Sequence, residues 1–528
     1  MRRFHSYGPV DCEEHFCVPR TELVDGCVRQ LVDNPEKGGH FFTIWAPRQT
    51  GKTWLMRQAR DEIARRYPDR FLLGTLSMQG LIMGADDPDE VFFDFVPRLF
   101  RAGLSMEVSP PNSWNQWADL FSKGKGAFSK PAILFIDEFD SLPPRILDQL
   151  VTLFRDIYLS RDNYHLHGLA LIGVRAVLGV ESLRGSPFNI QRSLHVPNLT
   201  PEETTELFRQ YQEESGQTVE PEVVAAVQGA TQGQPGLVSW FGELLTETYN
   251  PGTKNLIRRD DWKRVYSRAL HSEWNNTVLN LVKKVRARYQ EHVLALFGRS
   301  DVPFRLDVDW CAYLYLNGVI DKELAPANHG DFMEVCRFSC PFIQERLYHA
   351  LTYDLIGDGL PILPLDPLDD LENVFSGPDL DIPALLNRYK DYLARLKTAG
   401  IDPWKDQPRR SDLRLTEAVG HFHLFAWLQQ ALGRRCSINP EFPTGNGRVD
   451  LHLRCKELKG LIEVKSFRDR AEIAHAKVQA AGYARRLGFS AVAIALFVPV
   501  TDETILSRLS EVDTMDGVRA TVVAIGWT

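Results

Sequence analysis

The sequence predicts an α/β protein with a parallel β-sheet, a helical middle region and a second, smaller α/β domain at the C-terminus. Three observations support this prediction. Short apolar runs alternate with helical patterns over residues 1–200. A polar loop, residues 46–53, joins the first of these runs to a helix. Near the C-terminus, two runs of alternating polarity precede another helix. Strands separated by helices favour a parallel sheet that is covered on both faces.

Five apolar runs predict the strands of the first sheet. They are residues 41–45, 71–78, 132–136, 169–174 and 194–196. A helix from Trp54 to Arg66 is expected behind the polar loop. Thr200, Pro201 and Glu203 predict the start of another helix, because threonine can cap, proline suits the first position and glutamate can close a capping box. Helices are expected from there to residue 250.

The middle of the chain gives weaker signals. Helices are expected around residues 274–297 and 309–316, and a short strand leading into a helix is expected at 338–351. This mixture predicts a small winged-helix-like domain. Residues 356–383 are rich in glycine, proline and acidic residues, and such a segment buries little apolar surface, so we predict a linker there. A last domain is expected from residue 384 onward.

Composition argues against several classes of protein. No apolar run approaches the roughly 20 residues of a transmembrane helix, and the first residues lack the apolar stretch of a secretory signal. The eight cysteines form no C-x-x-C pair, so we expect reduced, mostly buried thiols in a cytoplasmic protein. The net charge of −8 means that nucleic-acid binding would need local basic patches. Residues 283–288 and the group Arg409, Arg410 and Arg414 are candidates, although both could be ordinary solvated faces.

Residues 46–53 (APRQTGKT) have the composition of a phosphate-binding loop. In such a loop, backbone N–H groups at a helix N-terminus meet the phosphates of a nucleotide. Lys52 would contact the β- and γ-phosphates of ATP, and Thr53 would ligate Mg²⁺. Ala46 stands where the strict pattern has glycine, which matters only if that position needs a positive φ. The nucleotide-binding residues predicted in the loop are Arg48, Gln49, Thr50, Gly51, Lys52 and Thr53.

A pair of acids downstream completes the pattern of an ATPase. The apolar run 132–136 ends in Asp137 and Glu138. Asp137 would hold Mg²⁺ through water, and Glu138 would polarise the attacking water. Taken alone, the two acids could simply form the polar end of a strand. Their position after a phosphate-binding loop favours the catalytic interpretation.

Residues 46–53 and 136–140 together resemble the AAA-like ATPases of the signal-transducing, STAND-type branch. Residues 16–20 (FCVPR) are similar to the segment that precedes the first strand in that branch. The resemblance covers residues 10–250, with a winged-helix-like extension to residue 355. It implies a nucleotide-controlled switch that often assembles into oligomers.

The same resemblance implies two more nucleotide-binding residues. Arg175 follows the fourth predicted strand, where the family has a sensor of the γ-phosphate. Pro235 belongs to residues 233–235 (GQP), which are similar to the G-x-P motif of the family's helical lid. Alternatively, Arg175 is a surface ion-pair residue and Pro235 only marks a helix break.

The C-terminal strands carry two acids and a lysine. Asp450 is followed thirteen residues later by Glu463 and then by Lys465. Glu463 and Lys465 share a strand face, and a turn centred on residues 456–457 would place Asp450 opposite Glu463. Such a set can bind Mg²⁺ or Mn²⁺ through oxygen ligands, including the carbonyl of Val464, and can cleave a phosphodiester. Alternatively, Lys465 only forms an ion pair with Glu463.

This set resembles the PD-(D/E)xK nuclease superfamily, although the residues just before Asp450 lack the proline that is often found there. The resemblance spans residues 384–528. It implies that Glu417, on an upstream helix, is a further metal-binding acid. It also implies that Gln479 and Tyr483 correspond to the Q-x-x-x-Y helix of the RecB-type branch. Glu417 could instead be a solvated helix acid, and Tyr483 a core aromatic residue.

Together these features predict an ATPase and Mg²⁺-dependent nuclease in which ATP gates the cleavage of nucleic acid. The predicted catalytic residues are Glu138, Asp450, Glu463, Lys465, Gln479 and Tyr483. The predicted metal-binding residues are Thr53, Asp137, Glu417, Asp450, Glu463 and Val464. The predicted domains are an ATPase core (1–200), a helical lid (201–255), a winged-helix-like domain (256–355), a linker (356–383) and a nuclease domain (384–528).

We expect DNA rather than RNA as the partner, a homo-oligomer, no membrane association and an unknown activator. Antiviral defence in bacteria is a role suggested by analogy with such fusions. The alternative function is an ATP-driven switch or scaffold, or an accessory ATPase of DNA repair or transposition. In that alternative, the nuclease-like domain mainly binds nucleic acid. Metal-dependent cleavage distinguishes the two interpretations.

Overall fold

The structure, a computed structural model, describes residues 1–81, 87–173, 193–252, 255–298, 302–326, 332–356, 371–377, 379–405, 407, 409, 416–441 and 450–527. Its contacts divide the chain into two compact units. Unit 1 comprises residues 1–277 and 306–319, and unit 2 comprises residues 278–305 and 320–528. Parts of the predicted winged-helix-like domain fall in each unit, and the boundaries of all five predicted domains remain predictions.

Unit 1 is an α/β unit around a five-stranded parallel sheet, with the strand order β2-β3-β4-β1-β5. The predicted parallel sheet is therefore confirmed. Its elements are α1 (Thr21–Val32), β1 (Phe41–Trp45), α2 (Lys52–Arg66), β2 (Leu72–Ser77), α3 (Pro88–Leu104), α4 (Trp114–Asp119), β3 (Ala132–Asp137), α5 (Pro144–Leu159), β4 (Leu166–Gly173), β5 (Ser193–His195), α6 (Pro201–Ser215), α7 (Pro221–Thr231), α8 (Pro235–Glu243) and α9 (Arg259–His271).

Strand β3 shows why the runs are continuously apolar. Ala132, Leu134 and Ile136 belong to the core on the face of α3 and α5, whereas Ile133 and Phe135 belong to the core on the face of α1 and α2. Successive strand residues point to opposite faces, so a strand covered on both faces needs apolar residues at every position. The strand ends at Asp137, where the chain passes beyond the helices that cover the two faces of the sheet.

The lid region begins where the sequence predicts it. The Thr200 hydroxyl accepts from the Glu203 N–H at 3.2 Å, and the Glu203 carboxylate accepts from the Thr200 N–H at 2.9 Å. These two bonds form the predicted capping box at the start of α6. A further helix in unit 1, α12 (Asp309–Leu316), confirms the helix predicted at 309–316.

Unit 2 contains a six-stranded mixed sheet with the order β12-β13-β11-β10-β9-β8, and a separate hairpin of β6 and β7. Most of α10 belongs to this unit. Its elements are α10 (Asn276–Ala287), α11 (Gln290–Gly298), β6 (Ile320–Pro326), β7 (Phe332–Phe338), α13 (Pro341–Ile356), α14 (Ile382–Thr398), α15 (Glu417–Leu432), β8 (Ser437–Glu441), β9 (Asp450–Cys455), β10 (Leu458–Ser466), α16 (Arg470–Arg486), β11 (Ala491–Val498), α17 (Glu503–Leu509), β12 (Val512–Met515) and β13 (Val518–Gly526).

Helix α15 is buried along almost its whole length, which fixes the position of its first residue, Glu417. Two buried histidines anchor it. A nitrogen of His421 is 2.6 Å from the Tyr348 hydroxyl of α13, and a nitrogen of His423 is 2.6 Å from the Tyr389 hydroxyl of α14. Buried polar groups that find partners in this way give a helix one defined position.

The cysteine prediction is wrong for four of the eight residues. Cys12 forms a disulfide with Cys17, and Cys436 forms one with Cys455. The second pair follows from strand register, because Ser437 pairs with Arg454 and so places the preceding residue opposite Cys455. Sequence spacing could not show this proximity. The remaining cysteines are buried, as expected: Cys27, Cys311, Cys336 and Cys340.

The described end of the predicted linker is packed rather than extended. Val374, Leu380 and Ile382 are buried, and the Leu380 N–H donates to the Lys459 carbonyl at 3.2 Å. For these residues the expectation of little buried apolar surface is wrong, because the sheet of the last domain supplies an apolar cover. Residues 357–370 of the linker lie outside the described part of the chain.

Within the described residues, no helix has the length and apolar character that crossing a lipid bilayer requires.

Candidate functional sites

The first candidate site is the loop between β1 and α2. Gly51 has φ 90° and precedes the first residue of α2, so the loop makes its turn with a residue that tolerates this conformation. Gln49 also has a positive φ of 59°, whereas Ala46 does not. The departure from glycine at position 46 therefore puts no strain on the backbone.

Lys52 is folded back onto the loop. Its ammonium donates to the carbonyl oxygens of Ala46 at 2.8 Å and Pro47 at 2.6 Å. Burial lowers the pKa of Lys52 to about 8, although the charges of Asp140 and Asp137 oppose the shift. Binding of a phosphate would stabilise the Lys52 ammonium, because the carbonyl groups that hold it in this desolvated loop do not neutralise its charge.

The side chain of Thr53, in the first turn of α2, contacts the side chain of Asp137 at the end of β3. The Thr53 hydroxyl donates to the Asp137 carboxylate at 3.1 Å, and the other oxygen of Asp137 accepts from the Glu138 N–H at 2.9 Å. The neighbouring Glu138 has φ 53°. Burial, followed by the charge of Asp137, raises the pKa of the Glu138 carboxyl. The structure thus brings the predicted Mg²⁺-binding pair together, with Glu138 beside it.

The predicted lid contacts the loop through residues on either side of Pro235, the first residue of α8. The Gln234 side chain donates to the carbonyl oxygens of Arg48 at 3.0 Å and Gln49 at 3.3 Å. The Gly236 N–H donates to the Gln49 carbonyl at 3.0 Å. The sequence singled out Pro235, but Gln234 and Gly236 make these contacts. The G-x-P pattern of residues 233–235 includes Gln234 and could have indicated it, whereas Gly236 lies just outside the pattern.

The N-terminal segment also reaches the loop. The Gln49 side chain donates to the Ser6 carbonyl at 2.7 Å. The Thr50 hydroxyl donates to the Pro47 carbonyl at 2.8 Å, which orders the loop internally. Arg20 binds Glu203 of the lid at 3.1 Å. Arg175, predicted as a γ-phosphate sensor, lies outside the described residues.

The second candidate site is on the central strands of unit 2. The β9–β10 hairpin pairs Cys455 with Leu458 and Asp450 with Glu463. This is the register predicted from a turn centred on residues 456–457. The structure describes only the backbone of Asp450. The position of this residue is therefore known from its strand pairing with Glu463 alone.

Lys465 lies between two carboxylates. Its ammonium is 3.3 Å from Glu463 and 3.6 Å from Glu417. The side chains of Glu463, Lys465 and Glu417 are 3%, 10% and 16% exposed, so this cluster is largely shielded from water. Burying charges is costly unless they are compensated. The structure therefore brings together three predicted site residues, and Glu417 is not a solvated acid.

Helix α16 packs against β11, β12 and β13, on the sheet face to which Glu463 and Lys465 of β10 belong. Leu461, two residues before Glu463, packs in one core with Ile473 and Ala480 of α16. Residues two apart on a strand share a face, so Glu463 and Lys465 also face α16. Gln479 and Tyr483 lie on this helix, and Tyr483 packs against the same core. Gln479 and Tyr483 thus lie on a helix of the sheet face that carries Glu463 and Lys465, and their part in the site remains a prediction.

Glu472, in the first turn of α16, was missed by the sequence analysis. Its Oε1 is 3.4 Å from the Arg468 guanidinium, and its Oε2 is buried without a hydrogen-bond partner among the described residues. Burial raises the pKa of the Glu472 carboxyl, and the charges of Glu417 and Lys465 act on it in opposite directions. Acids are common at helix starts, so nothing in the sequence distinguishes Glu472 from other acids of this kind.

The residues fit a divalent cation in one specific respect. Glu472 Oε2 and Gln479 Oε1 are both buried oxygen acceptors without a partner among the described residues. Oxygen ligands of this kind suit Mg²⁺ and Mn²⁺. Among the described side chains, no three acids, histidines or cysteines already converge as a ligand group. The role of the Val464 carbonyl as a metal ligand remains a prediction.

The chain is similar to several solved P-loop ATPase structures. The Walker-type ATPase PABY2304 of Pyrococcus abyssi is 16% identical with a TM-score of 0.41, covering 65% of this chain and 99% of that chain. The Aeropyrum pernix Orc1 protein, solved in complex with DNA, is 15% identical with a TM-score of 0.32, covering 63% and 93%. The Thermotoga maritima RuvB Holliday junction branch migration motor is 14% identical with a TM-score of 0.32, covering 60% and 92%.

No protein-family model matches the chain, and no curated protein matches it.

Proposed function

We propose that unit 1 is a Mg²⁺-dependent ATPase and that unit 2 is a metal-dependent nuclease whose activity the nucleotide controls. The observation that carries the nuclease assignment is the position of Lys465 between Glu463 and Glu417, on the strand whose Glu463 pairs with Asp450. The Thr53–Asp137 hydrogen bond beside a phosphate-type loop supports the ATPase assignment.

The residues of unit 1 suggest how ATP would be handled. Phosphate oxygens would replace the Ala46 and Pro47 carbonyls as partners of the Lys52 ammonium, at the N-terminus of α2. Mg²⁺ held by Thr53 and Asp137 would neutralise phosphate charge. Glu138 would accept a proton from the attacking water, a role that its raised pKa brings nearer to neutral pH.

The residues of unit 2 suggest how a phosphodiester would be cleaved. A divalent cation at Asp450 and Glu463 would activate water and the phosphate as a Lewis acid. Lys465 would orient that water or stabilise charge that develops on the phosphate, while Glu417 holds the ammonium in place. Gln479 and Tyr483 would position these groups from α16. The low exposure of the cluster strengthens each of these electrostatic interactions.

DNA, a homo-oligomer and an activator are part of the proposal. Of the predicted basic stretch 283–288, Arg286 is paired with Asp354 at 2.5 and 2.7 Å, while Lys283 and Arg288 are exposed. Exposed cations of this kind would contact nucleic-acid phosphates. A cytoplasmic location and antiviral defence complete the proposal; loss of phage protection in Lys465→Ala cells would test the defence role.

The nuclease is tested with the purified full-length protein on circular DNA, linear DNA and RNA, with Mg²⁺ or Mn²⁺ and with or without ATP. We expect Lys465→Ala to lower cleavage at least about 100-fold, because charge stabilisation and proton transfer in such sites contribute at that level. ATP hydrolysis should stay within a few-fold of the wild type.

Lys459→Ala is the matched control, because Lys459 is an exposed lysine on the same strand. It should leave cleavage unchanged. Cleavage that survives Lys465→Ala contradicts the nuclease assignment. For unit 1, Lys52→Ala should weaken ATP binding, and unchanged binding in calorimetry would contradict the ATPase assignment.

A second candidate is an ATP-driven switch or an accessory ATPase of DNA repair or transposition, in which unit 2 only binds nucleic acid. In this candidate the ion pairs of Lys465 with Glu463 and Glu417 would serve structure alone. Nucleic-acid binding without cleavage under any metal or nucleotide condition would support it over the nuclease.

A further inference from the structure

A cavity of about 890 Å³ lies in unit 2, between α14, the loop that follows this helix, the start of α17 and the end of β13. Its volume is within the range of about 300–1,000 Å³ that is common for small-molecule sites. Among the described residues that line it, none belongs to either candidate site. The cavity is large enough for a small organic ligand, and its lining indicates which kind.

The cavity lies on the face of the sheet opposite to Lys465. Lys465 and Ala524 belong to one row across the sheet, because both pair with the same residue of β11. Ile525, which lines the cavity, follows Ala524 and so points to the opposite face. Phe497 is the partner of Ile525 in β11, and its ring centroid is 5.8 Å from that of Trp404, another lining residue. The cavity is therefore separate from the proposed nuclease site.

The apolar part of the cavity wall includes two tryptophans that other contacts hold in place. Trp404 is 5% exposed, and its ring centroid lies 4.7 Å from that of His423. Trp527 is 7% exposed, and its backbone N–H donates to the Val498 carbonyl at 3.2 Å. Aliphatic side chains complete this part of the wall: Leu393, Ile401, Leu506 and Ile525. Fixed aromatic and aliphatic surfaces of this kind pack well against a flat ring of a ligand.

Helix α14 contributes positive charge along the face that lines the cavity. Four of its residues line the cavity, at spacings that place them on one side of the helix: Lys390, Leu393, Ala394 and Lys397. Lys390 pairs at 3.4 Å with Glu503, a lining residue at the start of α17. Two ammonium groups, one of them held by this ion pair, therefore lie along one wall.

Arg409 brings a third cation beside the tryptophans. Its guanidinium lies 4.8 Å from the centroid of the Trp527 ring and donates to the Trp404 carbonyl at 3.4 Å. A guanidinium held on an aromatic face presents a fork of donors that matches carboxylate and phosphate groups. With Asp402 and Glu503, the described lining has three cations and two acids, so its net charge favours an anion.

We propose that this cavity is a binding site for a small anionic ligand with an aromatic ring. The ring packs on the wall that includes Trp404 and Trp527, and the anionic group binds Arg409 and Lys397. A mononucleotide and an aromatic carboxylate share this chemistry. The site does not depend on the proposed nuclease, so failure of either proposal leaves the other intact.

The test is binding of 8-anilinonaphthalene-1-sulfonate, a fluorescent aromatic anion, to the full-length protein. Every protein carries Lys52→Ala, so that the phosphate-type loop is altered equally in all of them. We expect Lys397→Glu and Arg409→Glu each to weaken dye binding at least about tenfold, because a charge-assisted contact contributes about that much. Both residues are exposed, so we expect both variants to fold.

Ala394→Phe tests the cavity without a change of charge. Ala394 lines the cavity from α14, so the added ring fills space that the dye needs and should also weaken its binding. Lys405→Glu is the matched control, because Lys405 is an exposed lysine of the same loop as Arg409 that does not line the cavity. It should leave dye affinity within about twofold, since salt screens charges outside the cavity.

Competition identifies the source of the ligand chemistry. Displacement of the dye by adenosine monophosphate or guanosine monophosphate assigns the site to mononucleotides, and displacement by indole-3-acetate alone assigns it to aromatic carboxylates. Displacement by none of these compounds, or no dye binding at all, overturns the proposal. Dye affinity that is the same in the three folded cavity variants as in Lys405→Glu overturns it as well.

Discussion

Lys52 is held in its loop by two carbonyl oxygens rather than by a carboxylate. This arrangement shields a positive charge without neutralising it, and the shielding lowers the pKa of Lys52 to about 8. In unit 2, by contrast, the Lys465 ammonium lies against two carboxylates. At the residue scale, the charge of Lys52 is held by neutral carbonyl groups and can still bind an anion. The charge of Lys465 is already balanced by carboxylates.

The Lys52 environment predicts a pH dependence of ATP binding. Phosphate favours the charged ammonium, so binding above pH 8 requires proton uptake, whereas below pH 8 Lys52 is already protonated. Affinity should therefore be nearly flat below that pH. Above it, affinity should fall by up to about tenfold for each pH unit. Calorimetric titrations in buffers of different ionisation enthalpy measure the proton uptake directly.

Lys52→Arg is the control for this pH dependence, because a guanidinium stays protonated throughout the range. If the arginine variant binds ATP at all, its affinity should not fall between pH 8 and pH 10. An equal slope in both proteins would assign the pH dependence to another group.

At the element scale, α8 is joined to the phosphate-type loop by its first turn. The contact is close, since a Cβ built on Gly236 would lie 2.6 Å from the Gln49 Cβ. Gln234 adds two side-chain bonds to the same loop. The start of this helix is therefore packed directly on residues 48 and 49, so we expect a bound nucleotide to affect its position.

Gly236→Ala should separate the lid from the loop. The added methyl group meets Gln49 at a distance that real Cβ contacts do not show, so we expect a loss of about 1–3 kcal/mol in stability together with weaker ATP binding. Calorimetric unfolding and ATP titration measure the two effects.

Gly229→Ala in α7 is the matched control for this substitution, because nothing lies within 4 Å of its Cβ position. It should stabilise the protein by about 0.5–1 kcal/mol through helix propensity and leave ATP affinity unchanged. Equal effects of the two alanine substitutions would mean that the contact between Gly236 and Gln49 is unimportant.

At the scale of the whole molecule, the two candidate sites lie in separate compact units. The phosphate-type loop and the lid belong to unit 1, and the acidic cluster belongs to unit 2. Control of one site by the other would therefore require a change of state that both units share. Such a change needs a ligand that binds the two states with different affinity. ATP is the ligand that we propose for this role.

ATP-dependent assembly is the prediction at this scale. If nucleotide drives a homo-oligomer, sedimentation velocity should show a larger species with ATP than without it, at equal protein concentration. Lys52→Ala should remain in its nucleotide-free state under both conditions, and Lys465→Ala should assemble like the wild type. A distribution of species that is the same with and without ATP would contradict the proposed switch.

Local signals were sufficient for many individual elements. Phe41–Trp45 and α12 match their predicted bounds, and the capping box at Thr200 forms as expected. The hairpin register between Asp450 and Glu463 could also be predicted, because a tight turn fixes which residues face each other. In each case the determining interactions involve residues close together in the chain.

Other features could not be predicted from local patterns. The disulfide between Cys436 and Cys455 depends on β8 pairing with β9, and the buried end of the predicted linker depends on the sheet that covers it. Glu472 has the sequence context of any acid at a helix start. One of its carboxylate oxygens is nevertheless buried, in a helix that packs against β11, β12 and β13.

The sequence by itself determined the α/β class, the parallel sheet of unit 1, the phosphate-type loop with its two downstream acids, and the spacing of Asp450, Glu463 and Lys465. These follow from periodicity, caps and turns, which act between near neighbours. Only the tertiary structure decided that Lys465 is shared by Glu463 and Glu417 and that Gln234 and Gly236 contact the loop. Those contacts join residues from different elements, and packing of apolar faces far apart in the chain is what brings such elements together.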